Sequence, residues 1–320
     1  MKERRTMTIV ILGGGAIGRL LGVYLSKGGH NATLVDPNLE VIEAINSRGI
    51  GFMEEEATNP DAISYVPARA VQHAGQVKHC DLVILAVKSF DTLTAVQAAT
   101  HLLRGNTPII TLQTGLGNIE LMERVIDRKQ IIGGFTFMAA TALGPGVVRQ
   151  GGAGKTYLGE LDGQISGRLQ TVTDLFNQCG LTCKPVRRIV GRLWCKVIVY
   201  SAINAVSSIP RVKNGQLLDA MESITLIKRL IDEGRKVAEA KAIDLVYHDL
   251  YELFFAACRR SSENLSSMLQ DILNGKRTEI DAQCGALAAF GEQAGIPTPT
   301  QQTMVELIKL LEKKTAEPAA

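Results

Sequence analysis

The feature that most restricts what this chain can become is a strand that runs directly into glycines. Residues Thr8–Leu12 read TIVIL, a short apolar run rich in β-branched residues, and Gly13-Gly14-Gly15-Ala16-Ile17-Gly18 follows without a gap. Residues 17–27 then place apolar side chains at helical spacing. A G-x-G-x-x-G pattern alone is a weak signal. Set between a strand and a helix, it is the turn that cradles a dinucleotide. Gly13 permits the tight turn, Gly15 lets backbone approach a pyrophosphate, and Gly18 lets the helix pack closely on the strand. Ala16 and Ile17 open a helix whose first N–H groups face the phosphates.

The alternation continues downstream. Strands are expected over Asn31–Val35, 82–87, 108–112 and 131–133, separated by helices over Leu39–Arg48, 92–103 and 119–125. Continuously apolar strands between helices imply a parallel sheet covered on both faces. Near Gly144 the pattern changes. Glycines flank 147–150 and 155–158, which read as an antiparallel hairpin at the sheet edge. A helix over 167–179 and a strand over 182–185 close this part. Beyond residue 187 strand signals vanish, and 192–207, 215–240, 247–257, 278–294 and 298–313 carry helical spacing. The expected fold is α/β, with a dinucleotide-binding domain over residues 6–186 and an all-helical domain over 187–320. Residues 315–320 read as disordered, and the apolar segments 245–257 and 305–311 could form a homodimer face.

Totals exclude several other classes. A length of 320 residues supports two cores. Lysine and arginine number 35 against 32 acidic residues, with no basic stripe, so nucleic acid is not an expected partner. Lys2, Arg4 and Arg5 precede the first strand without a signal-peptide segment behind them. We find no apolar window of about 18 residues, so no membrane span is expected and a cytoplasmic location is. The six cysteines form no C-x-x-C pair and the five histidines do not cluster. No metal site is therefore expected, and the cysteines read as small buried hydrophobes in a reducing compartment.

Asp36 stands eighteen residues after Gly18 (36 − 18), at the end of the second strand. A carboxylate there accepts from adenosine ribose hydroxyls and repels a 2′-phosphate, which points to NADH. Capping of the helix that starts near Leu39 is the alternative role for it. Three further segments carry chemistry. Gln113-Thr114-Gly115-Leu116-Gly117-Asn118 turns just after a strand, where open α/β sheets bind ligands. Lys196, Tyr200 and Asn204 stand four apart on one apolar helix and share a face. A lysine desolvated there loses basicity and becomes a better proton donor near neutral pH. The third segment, 264–272 followed by 277–281, alternates polar and apolar residues and reads as a helix pair lining a polar pocket.

At these residues the chain resembles the ketopantoate reductase (2-dehydropantoate 2-reductase) family, nearly end to end. The resemblance covers the glycine pattern, Ala86-Val87-Lys88, the Gln113–Gly117 turn, the Lys196 helix, Asn214-Gly215, and the Ser-Ser-Met and Thr-Glu-Ile-Asp block. It implies a Rossmann domain joined to a helical domain like that of 6-phosphogluconate dehydrogenase. It further implies NAD(P)H-dependent reduction of a small 2-keto acid, by default 2-dehydropantoate to pantoate for pantothenate and coenzyme A synthesis. Lys196 then corresponds to the family's proton donor. Glu279 matches the carboxylate at the nicotinamide end, and Asn204, Asn214 and Ser267 match positions that hold the keto acid. Lys88 and Ala139 fall at cofactor contacts.

Three departures open alternatives. The family usually has asparagine where this chain has Thr114 and Tyr200, both at ligand positions, and it typically uses NADPH where Asp36 argues for NADH. Neither replacement reproduces the paired donor and acceptor of an amide. A different 2-keto or 2-hydroxy acid handled with NAD(H) is thus a second reading. A dinucleotide sensor without turnover is a third; the intact Lys196, Asn204, Ser267 and Glu279 set speaks against it.

Overall fold

The computed structural model describes residues 5–57, 59–152 and 154–316. Lys2, Arg4 and residues 317–320 of the expected tail lie outside the described residues. The chain divides into two compact units. One holds the residues up to Gln113 together with Asn118–Ile189, and the other holds Thr114–Gly117 and the residues from Val190 onward.

The first unit begins with β1 (Thr8–Leu12), α1 (Ala16–Lys27), β2 (Asn31–Val35) and α2 (Leu39–Arg48). Three short strands follow, β3 (Ile50–Met53), β4 (Ser64–Val66) and β5 (Arg69–Val71), and then β6 (Leu82–Leu85). Next come α3 (Thr92–Ala98), β7 (Ile109–Thr111), α4 (Asn118–Glu123) and β8 (Ile131–Thr136). β9 (Ala139–Gly144), β10 (Val147–Gly152), β11 (Thr156–Glu160), α5 (Gly167–Gln178) and β12 (Cys183–Pro185) complete it. An eight-stranded sheet runs β12-β11-β8-β7-β6-β1-β2-β5. It is parallel from β8 to β5, with β11 antiparallel to β8. The central strands are apolar on both faces because cores lie on each side: Ile9 and Ile11 enter one, Val10 and Leu12 the other.

The expected hairpin between 147–150 and 155–158 is not formed. β10 instead pairs antiparallel with β9 and parallel with β3, in a second sheet ordered β4-β3-β10-β9. β11 leaves for the main sheet and pairs with β8 and β12. The tight turn is Gly144-Pro145-Gly146, between β9 and β10. The later glycines mark the chain's passage between sheets, where Phe137 donates its N–H to Lys155 O at 3.0 Å.

The second unit has helices and connecting turns and no strand among its described residues. α6 (Ile189–Ser208), α7 (Met221–Ala240), α8 (Leu250–Arg260), α9 (Ser267–Leu273), α10 (Cys284–Gln293) and α11 (Pro299–Ala316) enclose a separate core around Ile198, Ile231, Phe254 and Leu287. Two expected helices are shorter than their apolar spacing. The 215–240 segment is a 3₁₀ turn at Gly215–Leu218 and then α7, and the 278–294 segment is a turn at Ile280–Ala282 and then α10. α11 extends through Ala316, two residues into the stretch expected to be disordered. α6 does satisfy the length and hydropathy of a membrane span, contrary to the sequence expectation, and 83% of that window is buried as in a core helix. All six cysteines are buried, and burial pushes the Cys258 and Cys284 thiols up to about 12.

Candidate active site

The glycine loop of the first unit is held by neighbouring backbone. Gly13 has φ +110°, and a Cβ there would stand 2.8 Å from Ala86 and Val87 backbone atoms. A Cβ on Gly18 would meet Gly13 O at 1.9 Å, so α1 approaches β1 as closely as it does only because Gly18 has none. Gly15 differs: the space its Cβ would occupy is open. It is also the N-cap of α1, with no side chain closing the helix end. Uncapped N–H groups at Ala16 and Ile17 above an open Gly15 fit a pyrophosphate.

Asp36 is a brace of this loop. Its Oδ2 accepts from Gly14 N–H at 2.9 Å and its Oδ1 from Asn38 N–H at 2.9 Å. The cap of α2 is Asn38, whose Oδ1 accepts from Glu40 and Val41. Asp36 therefore does not cap that helix itself. Lys88 is half-buried at the start of a 3₁₀ turn just past β6, and Ala139 is half-buried at the start of β9.

Two features of this unit were not read from the sequence. Arg19, one residue after Gly18, is buried and donates to Gly144 O at 2.6 Å and Val147 O at 3.0 Å. It fastens the β9–β10 turn to α1. Burial lowers its pKa, and Asp36 opposes that fall. At the end of β7, Gln113 donates to Val87 O at 3.0 Å and Thr92 Oγ1 at 2.7 Å, while Thr92 donates to Asn118 Oδ1 at 3.0 Å. Only Gln113 and Asn118, inside a quoted turn, hinted at this buried network.

The second unit assembles the other candidates. Thr114–Gly117 belongs to it: Leu116 donates its N–H to Ala282 O at 2.8 Å. Lys196 is half-buried on α6. Burial pushes its ammonium down to about 8, and the buried Glu279 carboxylate opposes the fall. Glu279 is held by its segment. Glu312 on α11 accepts from Thr278 N–H at 2.6 Å, and Lys309 pairs with Asp281 at 2.7 Å. The expected helix pair is thus a single short helix, α9, and a tethered turn.

One helical turn from Lys196, the Tyr200 ring centroid lies 5.8 Å from Lys196 Nζ. Arg260 donates to Tyr200 Oη at 2.9 Å. Asn204, two turns along, is buried and gives its amide to Gln283 Oε1 at 2.9 Å. Asn214 is buried, its amide N–H₂ donates to Ser261 Oγ at 3.0 Å, and its Oδ1 meets no donor among the described residues. Ser267 is exposed in the first turn of α9, which Ser266 caps through Leu269 N–H. Arg260 and Gln283 carried no sequence signal; each lies far along the chain from the residue it touches.

The profile described as ketopantoate reductase PanE/ApbA matches residues 9–163, and that of its C-terminal part matches residues 188–312. The chain belongs to the ketopantoate reductase family. It is 35% identical over 306 residues to the 2-dehydropantoate 2-reductase of Pyrococcus horikoshii, covering 96% of this chain and 98% of that one. It is 29% identical to that of Archaeoglobus fulgidus, over 96% and 99%. Among solved structures, the PanE/ApbA family ketopantoate reductase from Ralstonia eutropha JMP134 superposes with a TM-score of 0.86 at 26% identity, over 97% of this chain and all of the other. D-mandelate dehydrogenase, solved with NADH and anilino(oxo)acetate, shares the fold with a TM-score of 0.89 at 24% identity, over 97% of this chain and 99% of the other. The chain is accordingly an NAD(P)-dependent oxidoreductase resembling 2-dehydropantoate 2-reductase, with the family's two-part architecture.

Proposed function

We propose that this chain reduces the keto group of a 2-keto acid with NAD(P)H, 2-dehydropantoate to pantoate by default, in the supply of pantothenate. The observation that carries the reading is Lys196, a half-buried lysine with its pKa lowered to about 8 and a buried carboxylate, Glu279, acting on it.

Gly13, Gly14, Gly15, Ala16, Ile17 and Gly18 would hold the dinucleotide's pyrophosphate, and Asp36 its adenosine ribose. Lys88, Thr114 and Ala139 are the further contacts the family likeness supports. When bound, the dinucleotide supplies the hydride. Reduction of a keto carbon builds negative charge on its oxygen, which the Lys196 ammonium stabilises and then protonates at Nζ. Glu279 keeps that ammonium charged despite burial, since a nearby opposite charge favours the ionised form. Asn204, Asn214 and Ser267 would bind the acid. The buried Oδ1 of Asn214 supports this, because an acceptor left without a donor is costly and a hydroxyl would satisfy it.

Asp36 favours NADH, its carboxylate being fixed by Gly14 N–H and Asn38 N–H where a 2′-phosphate would meet like charge. Together with Thr114 and Tyr200 it favours a second reading, the same lysine chemistry on another 2-keto or 2-hydroxy acid. A panel decides: oxidation of NADH and of NADPH with 2-dehydropantoate and a series of 2-keto acids. We expect turnover of 2-dehydropantoate, faster with NADH. Turnover of another acid alone would change the substrate and keep the chemistry. Failure with every 2-keto acid would overturn the reading.

A further inference from the structure

Arg260 is the last residue of α8, and its place is fixed from two sides. Its guanidinium donates to Tyr200 Oη at 2.9 Å, and the Tyr200 ring faces Lys196 Nζ at 5.8 Å. The residues that follow it are pinned by Asn214-Gly215. Asn214 N–H donates to Asn264 O at 3.0 Å, Gly215 N–H to Ser262 O at 3.1 Å, and the Asn214 side chain to Ser261 Oγ at 3.0 Å. Tyr200 is half-buried and Arg260 is an exposed residue. Arg260 thus ends a line of contacts that runs from Lys196 through Tyr200, and the segment that follows it is anchored by Asn214 and Gly215. A guanidinium matches a carboxylate bidentately, and a 2-keto acid carries its carboxylate on the carbon next to the reacting one.

We propose that Arg260 receives the carboxylate of the 2-keto acid, positioned for it by Tyr200, while Lys196 faces the keto oxygen. This rests on the reading of the chain as a 2-keto acid reductase. It gives Tyr200 a purpose: an asparagine at that place ends well short of where a phenol hydroxyl reaches, and the Arg260 contact is made at that hydroxyl. The selectivity that follows is for a free acid over its uncharged amide or ester.

The test compares Arg260→Met, Arg260→Lys and Tyr200→Phe with the unaltered protein on a 2-keto acid and on its amide. Binding of the 2-hydroxy acid product is measured alongside by calorimetry, which requires no turnover. Arg260→Met is expected to raise KM for the acid and Kd for the product about 10- to 100-fold, with kcat little changed. KM for the amide should stay put. Arg260→Lys should recover part of the loss by keeping the charge, and Tyr200→Phe should move KM for the acid in the same direction by less. Equal effects on acid and amide, or none on either, would overturn the proposal. If the unaltered protein turns over no 2-keto acid, the functional reading fails instead, and the product-binding comparison still decides the role of Arg260.

Discussion

The glycine loop and the Lys196 face are built in opposite ways. The loop is made of backbone: Gly13 to Gly18 form one unbroken stretch, and Asp36, a single strand later, ties itself to Gly14 N–H. The Lys196 face is made of side chains from separate segments, α6, the end of α8 and the turn before α10. A backbone site tolerates little change in shape but many changes around it. A side-chain site keeps its scaffold while the ligand it prefers can be altered at one position. In this chain the glycine pattern is complete, whereas Thr114 and Tyr200 stand where the resemblance leads one to expect asparagine.

The most damaging change to the side-chain site is expected at Lys196. Lys196→Ala should lower kcat by about 10²–10⁴ and leave NADH affinity unaltered; an unchanged kcat would remove Lys196 from the chemistry. Burial holds the folded pKa below the ordinary 10.5, so the ammonium destabilises the fold below about pH 8 and this cost disappears as pH rises past 10.5. Lys196→Met should therefore raise stability at pH 7 by about 1–3 kcal/mol while lowering kcat as Lys196→Ala does. Denaturant unfolding at pH 7 and at pH 10 would reveal it.

The complementary change to the backbone site is Gly18→Ala. A methyl 1.9 Å from Gly13 O must push α1 away from β1. Overpacking of this kind costs about 1–3 kcal/mol, and NADH binding should weaken by about 10- to 100-fold. Equilibrium fluorescence titration would show it, with no altered pH dependence in the residual turnover. Asp36→Ala comes next. It leaves Gly14 N–H without its acceptor and removes the charge that disfavours a 2′-phosphate, so NADH affinity should fall by about tenfold while NADPH affinity holds or rises. A loss equal for both would make Asp36 a brace and nothing more.

This contrast also explains what was legible in advance. The strand, the glycines and Asp36 are local, and the structure places their elements where periodicity put them. The second sheet escaped because β3 and β4 are four and three residues long, and its strands come from distant parts of the chain. The glycines around 151–154 looked like a hairpin turn and are a crossing between sheets. Apolar spacing overran the true helices at 215–240 and 278–294 because a 3₁₀ turn can continue the same buried stripe. In the Lys196 face the residues sharing α6 were readable from their spacing of four. Arg260 was not, since it lies 60 residues from Tyr200, nor was Gln283, 79 residues from Asn204. No local pattern encodes such a pair.

The smallest expected effect bears most directly on how the side-chain site works. Glu279 raises the Lys196 pKa against the fall that burial imposes, and the proton donor must be charged to act. The decisive measurement is the pH dependence of kcat/KM for 2-keto acid reduction, in the unaltered protein and in Glu279→Gln. Activity should be retained below about pH 8 and decline above it, and the falling limb should move to lower pH when Glu279 loses its charge. A profile that stays flat through pH 9, or a limb that does not move in Glu279→Gln, would contradict Lys196 as the proton donor tuned by burial and Glu279.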